Sequence, residues 1–156
     1  VFHGAVGEVS ATVRDVSTAP EIVMANGIAV SLLATGQQTH GQFGLYRWDM
    51  AENSPGPPPH FHRSMSESFF ILDGIVSHFD GREWTESGAG GFLFVPEGGI
   101  HSFRNDYGPA SMLILFSPGA PREKYFEALA DRAAGLISPT PQEWDDFCAQ
   151  HDQFPA

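Results

Sequence analysis

The chain has 156 residues and 19 acidic side chains against eight basic ones, a formal net charge of −11. Counter-ion release from a phosphate backbone cannot drive binding at that balance, which argues against nucleic acid and anionic membrane surfaces as partners. The length fits one domain that needs no covalent staple, and 17 glycines with 12 prolines suit short strands joined by tight turns, an all-β composition.

No run of eighteen apolar residues occurs, and the opening Val1-Phe2-His3-Gly4 has neither a basic nor a hydrophobic leader, so no span and no export signal are expected. The single cysteine, Cys148, excludes an intrachain disulfide framework and reads as a half-buried apolar filler. A reducing, cytoplasmic location fits.

Residues 1–20 lack a period and read as an N-terminal arm. Glu21 to Ala34 is apolar and β-branched with a break at Asn26-Gly27, which predicts a hairpin of two short strands. Gln42 to Met50 is an aromatic-rich strand whose parity is open, with Phe43 and Leu45 on one face, Tyr46 and Trp48 on the other, and Arg47 unassigned. Ala51 to Pro59 is a proline-rich loop that holds the backbone extended ahead of His60.

Ser68–Leu72 and Ile75–Phe79 are apolar runs hinged at Asp73-Gly74, and Asp80-Gly81 repeats the hinge before Arg82–Glu86, so a β-meander is expected. Phe92–Val95 reads as a short buried strand, Ile100–Asn105 as a strand carrying His101, and Ala110–Phe116 as a buried closing strand. The period changes after Pro118-Gly119. Arg122–Ala134 is helical with Tyr125, Phe126, Leu129 and Ala133 in one stripe, and Thr140-Pro141-Gln142-Glu143 is a capping box opening a second helix. These elements predict one domain over 1–156: an all-β region at 21–116, and helices at 120–152 packed on its outside.

The chemistry concentrates at His60-Phe61-His62. Strand residues i and i+2 share a face, which puts the two imidazoles about 6.6 Å apart at Cα and within reach of one ion. Glu67 can return beside them with an oxygen donor, and His101 can bring a third nitrogen from another hairpin. Such a set suits Fe, Mn, Co, Ni, Cu or Zn, and leaves the metal undecided. His3, His40, His78 and His151 read as surface or strand filler. Phe69 and Phe103 share inward parity with Glu67 and His101, so they either line a substrate pocket or fill the interior.

Two stretches carry a family resemblance. Gly56, His60-x-His62, Glu67 and Gly74 form one half; Gly90, Pro96-x-Gly98, His101 and Asn105 form the other. They resemble the two motifs of the cupin superfamily, with three residues between Gly56 and His60 where the family pattern has five. The resemblance implies a single cupin barrel, a double-stranded β-helix or jelly roll, with one divalent transition metal held by His60, His62, Glu67 and His101. A compact single barrel with a helical tail looks like the quercetin-dioxygenase-type monocupins. That implies dioxygenase action on a small, largely apolar or aromatic enol or hydroxyl substrate, with Glu67 taking the hydroxyl proton and O₂ as co-substrate. Cupins that act as isomerases, cyclases or lyases, and cupins that only bind a small ligand, are the alternatives. A homodimer is expected on the same ground.

Overall fold

Alternation along three central strands sets the interior of this protein. The computed structural model describes residues 11–156, so His3 and half of the expected arm lie outside the described residues. In β3 (Gly44–Met50), Tyr46, Trp48 and Met50 are buried and Arg47 is exposed, which settles the open parity. In β10 (Ala110–Ser117), Ala110, Met112, Ile114 and Phe116 face in, and in β5 (Ser66–Asp73) Glu67, Phe69 and Ile71 do so. Period-two alternation over three neighbouring strands makes one apolar face, and burying it is the main drive to this fold.

These strands lie in a six-stranded antiparallel sheet in the order β1-β2-β3-β10-β5-β8, with β1 at Ile22–Val23, β2 at Ile28–Ala34 and β8 at Phe92–Val95. Facing it are a three-stranded sheet and a strand pair. The first is ordered β7-β6-β9, from β6 (Val76–Phe79), β7 (Trp84–Ser87) and β9 (Ser102–Arg104); the second joins β4 (His60–Phe61) to β11 (Phe154–Pro155). A bridge between His60 and His101, with N–H···O distances of 3.0 and 2.9 Å, ties the pair to the head of β9. Phe69 and Trp48 from the large sheet meet Phe103 of β9 at ring separations of 5.5 and 6.2 Å, so the core lies between the layers. The fold is mostly strand, a jelly roll whose ladders do not close on each other.

The Asn26-Gly27 hairpin forms as expected, with Gly27 at φ +85°. The meander does not. Asp73-Gly74 is a corner at which the chain leaves the large sheet: β5 pairs with β10 and β8, whereas β6 pairs with β7 and β9. A hairpin and a sheet-crossing corner both need a positive φ, here +73° at Gly74, so the local residues look alike in either case. Phe92 and Phe94 are not buried but 64% and 57% exposed, because β8 is an edge strand that turns only Leu93 and Val95 inward.

Helices α1 (Glu123–Ala133) and α2 (Pro141–Gln150) form, and the capping box is made, with Thr140 N–H donating to Glu143 Oε2 at 2.8 Å. Their position differs from the expectation. Phe126 of α1 packs on Tyr46 and Trp48, at 5.1 and 5.3 Å, and both belong to the inner face. The helices therefore close the open end of the sandwich instead of coating its outside, since their aromatic stripe finds more apolar surface there. After α2 the chain returns as β11 alongside β4. No helix among the described residues is long and apolar enough to cross a membrane.

Gly56 holds the proline-rich loop against β9. A Cβ there would lie 1.4 Å from the carbonyl oxygen of Phe103 and 2.6 Å from its carbon, so only glycine permits the approach. Gly56→Ala is expected to lower stability by about 3 kcal/mol or more in urea unfolding. Gly90→Ala, where the added carbon meets nothing within 4 Å and only the φ of +86° is strained, is expected to cost about 1 kcal/mol.

Candidate metal centre

The ends of three elements converge on one point. β4 projects His60 inward, the next inward residue is His62, Glu67 follows on β5, and His101 stands beside His60 across the bridge. Their ligating atoms all lie within 4.8 Å of one another, and the four side chains are 5%, 2%, 4% and 1% exposed.

Each imidazole is fixed by a backbone carbonyl. His60 Nδ1 meets Pro58 O at 2.9 Å, His62 Nδ1 meets Asp152 O at 2.6 Å, and His101 Nδ1 meets Gly99 O at 3.0 Å. A carbonyl can only accept, so each Nδ1 carries the proton and donates it, leaving Nε2 as the lone-pair atom turned to the centre. Glu67 Oε2 lies 3.0 Å from His62 Nε2 and 2.7 Å from His101 Nε2. Lone pairs and a carboxylate oxygen at those distances repel unless positive charge lies among them, either a shared proton or a metal ion.

The titration behaviour follows. Burial would raise the Glu67 pKa, but hydrogen bonding with His101 and His62 outweighs it and holds the carboxyl well below its usual range. Burial would lower His101, yet its hydrogen bond to Glu67 and that group's charge carry it upward. His60 is pushed down to about 3, first by burial and then by the charge of His101. Three neutral nitrogen donors and one ionised oxygen fit a divalent transition ion; the donor set is compatible with several and selects none.

His60 and Glu67 open onto a cavity of about 480 Å³ whose walls include Trp48, Phe103, Phe116 and Phe126. Of the two phenylalanines expected near a substrate, Phe103 lines this cavity. Phe69 does not; it is packed behind the cluster, against His101 at 6.0 Å and His78 at 5.5 Å. His78 is buried within β6, the strand-filler alternative, and its Nδ1 has no partner. Cys148 is buried at the cavity wall, where burial pushes its thiol pKa up. His151 caps α2, and His40 is exposed in a loop.

Several functional positions escaped the sequence reading. Asp152, at φ +56°, gives its carbonyl to His62 while its carboxylate accepts from Arg63 N, Ser64 N and Ser64 Oγ at 2.9, 2.9 and 2.7 Å. Nothing local in the sequence marks that role, since any residue supplies a carbonyl. Arg122, Tyr125 and Gln153 form a buried polar group on the cavity wall. For Arg122 a signal existed: it stands three and four residues ahead of Tyr125 and Phe126, on the same inward stripe.

The Cupin domain family profile matches residues 46–116. Quercetin 2,3-dioxygenase from Bacillus subtilis (strain 168) is 29% identical over 113 residues, a match covering 69% of this chain and 32% of that enzyme's length. The chain thus spans about a third of the relative it matches. A Thermotoga maritima structure described as a predicted oxalate decarboxylase superposes with a TM-score of 0.61 at 22% identity, over 69% of this chain and 99% of the other. An oxalate oxidase superposes with a TM-score of 0.55 at 22% identity, over 70% and 60% of the two chains. At such identities the structural likenesses carry the fold alone.

Asp152→Ala removes the carboxylate that anchors residues 63 and 64 and, through the same residue, loosens the carbonyl on His62. Metal affinity measured by chelator competition is expected to fall about tenfold or more, with the fold retained by circular dichroism.

His78 yields a pH prediction for the metal-free protein. It is pushed down to about 4 by burial and by the charge of His101, against an ordinary value of 6.5. Between those values the unfolded chain binds a proton that the fold refuses, so stability falls as pH drops through the window. Glu67, with its lowered pKa, adds loss in the same direction at the acid end, while the raised pKa of His101 opposes it by stabilising the fold below 6.5. His78→Gln should flatten the fall in urea midpoint between about pH 6.5 and 4.

Proposed function

Because the chain belongs to the cupin superfamily, we propose that it is a metal-dependent enzyme, a dioxygenase acting on a small, largely apolar or aromatic substrate that carries an enol or hydroxyl group. The observation that carries this reading is the buried His60, His62, Glu67 and His101 cluster opening onto a cavity with aromatic walls. Similarity to a quercetin dioxygenase supports the reaction class. A bound divalent transition ion would supply Lewis acidity and access to dioxygen chemistry.

The chain's own residues do the rest. Carbonyls of Pro58, Gly99 and Asp152 hold the three rings at fixed tautomer and angle. Glu67 keeps Oε2 against His62 and His101, whereas Oε1 takes no hydrogen bond among the described residues. Oε1 is the atom we assign as acceptor of the substrate's hydroxyl proton, an ionisation that makes the carbon framework electron-rich. Trp48, Phe103 and Phe116 offer ring faces to an apolar substrate, and α1 and α2 cover the cavity, keeping bulk water from a reactive carbanionic intermediate.

With flavonols and smaller enols in an oxygen electrode, uptake stoichiometric with substrate loss is expected. Glu67→Gln should lower kcat by about a hundredfold or more. His101→Ala should lose both bound metal and uptake. Product that still forms under argon would overturn the dioxygenase assignment in favour of an isomerase, cyclase or lyase. Binding without turnover in either atmosphere would leave a ligand-binding cupin.

A further inference from the structure

The polar groups that the C-terminal segment brings to the cavity wall are almost all hydrogen-bond donors. Arg122 is 2% exposed and lines the same cavity as His60 and Glu67. Its Nη1 donates to His151 O at 2.6 Å and its Nη2 to Gln153 Oε1 at 2.9 Å, while Nε has no partner. Among the described residues its guanidinium forms no ion pair. Both acceptors are neutral, and Glu67 acts on the charge only from beyond ion-pair distance, so the buried guanidinium has no anion in direct contact, an arrangement that costs free energy until one binds.

The neighbours share this character. Gln153 spends its oxygen on Arg122 and its amide on Tyr125 Oη, at 2.7 Å. The Tyr125 hydroxyl thus accepts from Gln153 and keeps its own proton to donate; burial above all pushes its pKa up to about 12. Trp48 Nε1 is a second buried donor without a partner. Trp48 and Arg122 both pack on Phe126, at 5.3 and 5.7 Å, and both line the cavity. Stacking of the guanidinium over Tyr125 at 4.2 Å and Phe116 at 5.1 Å fixes its plane. The carboxylates on the lining are Glu67, already placed among the histidines, and Asp145, exposed at the rim.

We infer that this donor cluster binds a carboxylate of the substrate, which is therefore a small hydroxy- or enol-carboxylate with an apolar body. The inference rests on the proposed metal-dependent reaction for the hydroxyl end only. Charge balance supports it. A divalent ion with Glu67 leaves one net positive charge, and Arg122 adds a second on the same cavity. A carboxylate on Arg122 and Tyr125 cancels one of the two, and the hydroxyl, whose proton passes to Glu67 and so stays in the site, leaves the remaining balance unchanged. Arg47, Arg82 and Arg104 are all exposed, whereas Arg122 is buried on the cavity.

The test compares salicylate with salicylamide, which differ by one charge at nearly equal shape, by titration calorimetry on the metal-loaded protein under argon. Salicylate should bind about thirtyfold more tightly, and Arg122→Gln should erase that preference while leaving salicylamide unchanged. Arg122→Lys should keep part of it. Because Arg122 also fastens residues 151 and 153, metal content is measured alongside. Should Arg122→Gln lose metal or fold, Tyr125→Phe decides, with an expected loss of about fivefold for salicylate alone. Equal affinity for the two probes, binding of neither, or a preference that survives in Arg122→Gln with metal intact would overturn the assignment. So would discrimination unchanged in Tyr125→Phe where that variant decides. Oxygen uptake is read separately: its absence with the charge preference intact would sink the dioxygenase reading and leave the carboxylate site standing.

Discussion

Glu67 Oε2, held between the Nε2 atoms of His62 and His101, is the contact around which the rest of the structure is arranged. It is stable only with positive charge at its centre and only with each ring turned so that Nε2 faces in. The second condition is met by backbone alone. The three carbonyls that hold the rings come from the proline-rich loop, the turn before His101 and the C-terminal tail, so three distant parts of the chain must be in place at once. Gly98 N–H donates to His62 O at 2.6 Å, which joins the two halves of the motif directly. A site built this way is rigid because its supports belong to the hydrogen-bonded frame and not to mobile side chains.

The C-terminal third of the chain is part of that frame. Arg122 fixes His151 and Gln153, the intervening Asp152 fixes His62, and β11 pairs with β4 beside His60. The same helices that carry these residues roof the cavity. One segment therefore holds His62, covers the cavity and supplies donors to its wall. In the low-dielectric space that results, each of those charges acts more strongly than it would at the surface.

How much of this was legible in the sequence depended on the range of the interaction. His60, His62 and Glu67 were legible because strand parity is local, and His101 because its own turn, Pro96 to Gly99, sets its direction. The two helices were legible from the period of Tyr125, Phe126 and Leu129 and from the Thr140 cap. Partner strands were not: Asp73-Gly74 has the residues of a hairpin, and which strand lies beside β5 is decided by competition among β6, β8 and β10 for its edges. The exposure of Phe92 and Phe94 follows from the same decision, since an apolar run reads as buried until its strand proves to be an edge. Asp152 was illegible for a different reason, because it acts through its main chain.

The charge of −11 and the positive interior then pose a single electrostatic problem. A surface rich in carboxylates repels an anionic substrate at long range, so steering by the whole field cannot bring it in. At physiological ionic strength that repulsion fades within about 8 Å, while a buried cation is screened far less. What governs entry is therefore the last few ångströms. There Arg132, exposed at the cavity rim and stacked 4.5 Å over Trp144, places positive charge beside the opening, and Arg122 waits at depth. Under the proposed reading the acidic exterior does not conflict with an anion site; it confines attraction to the mouth beside Arg132 and Trp144.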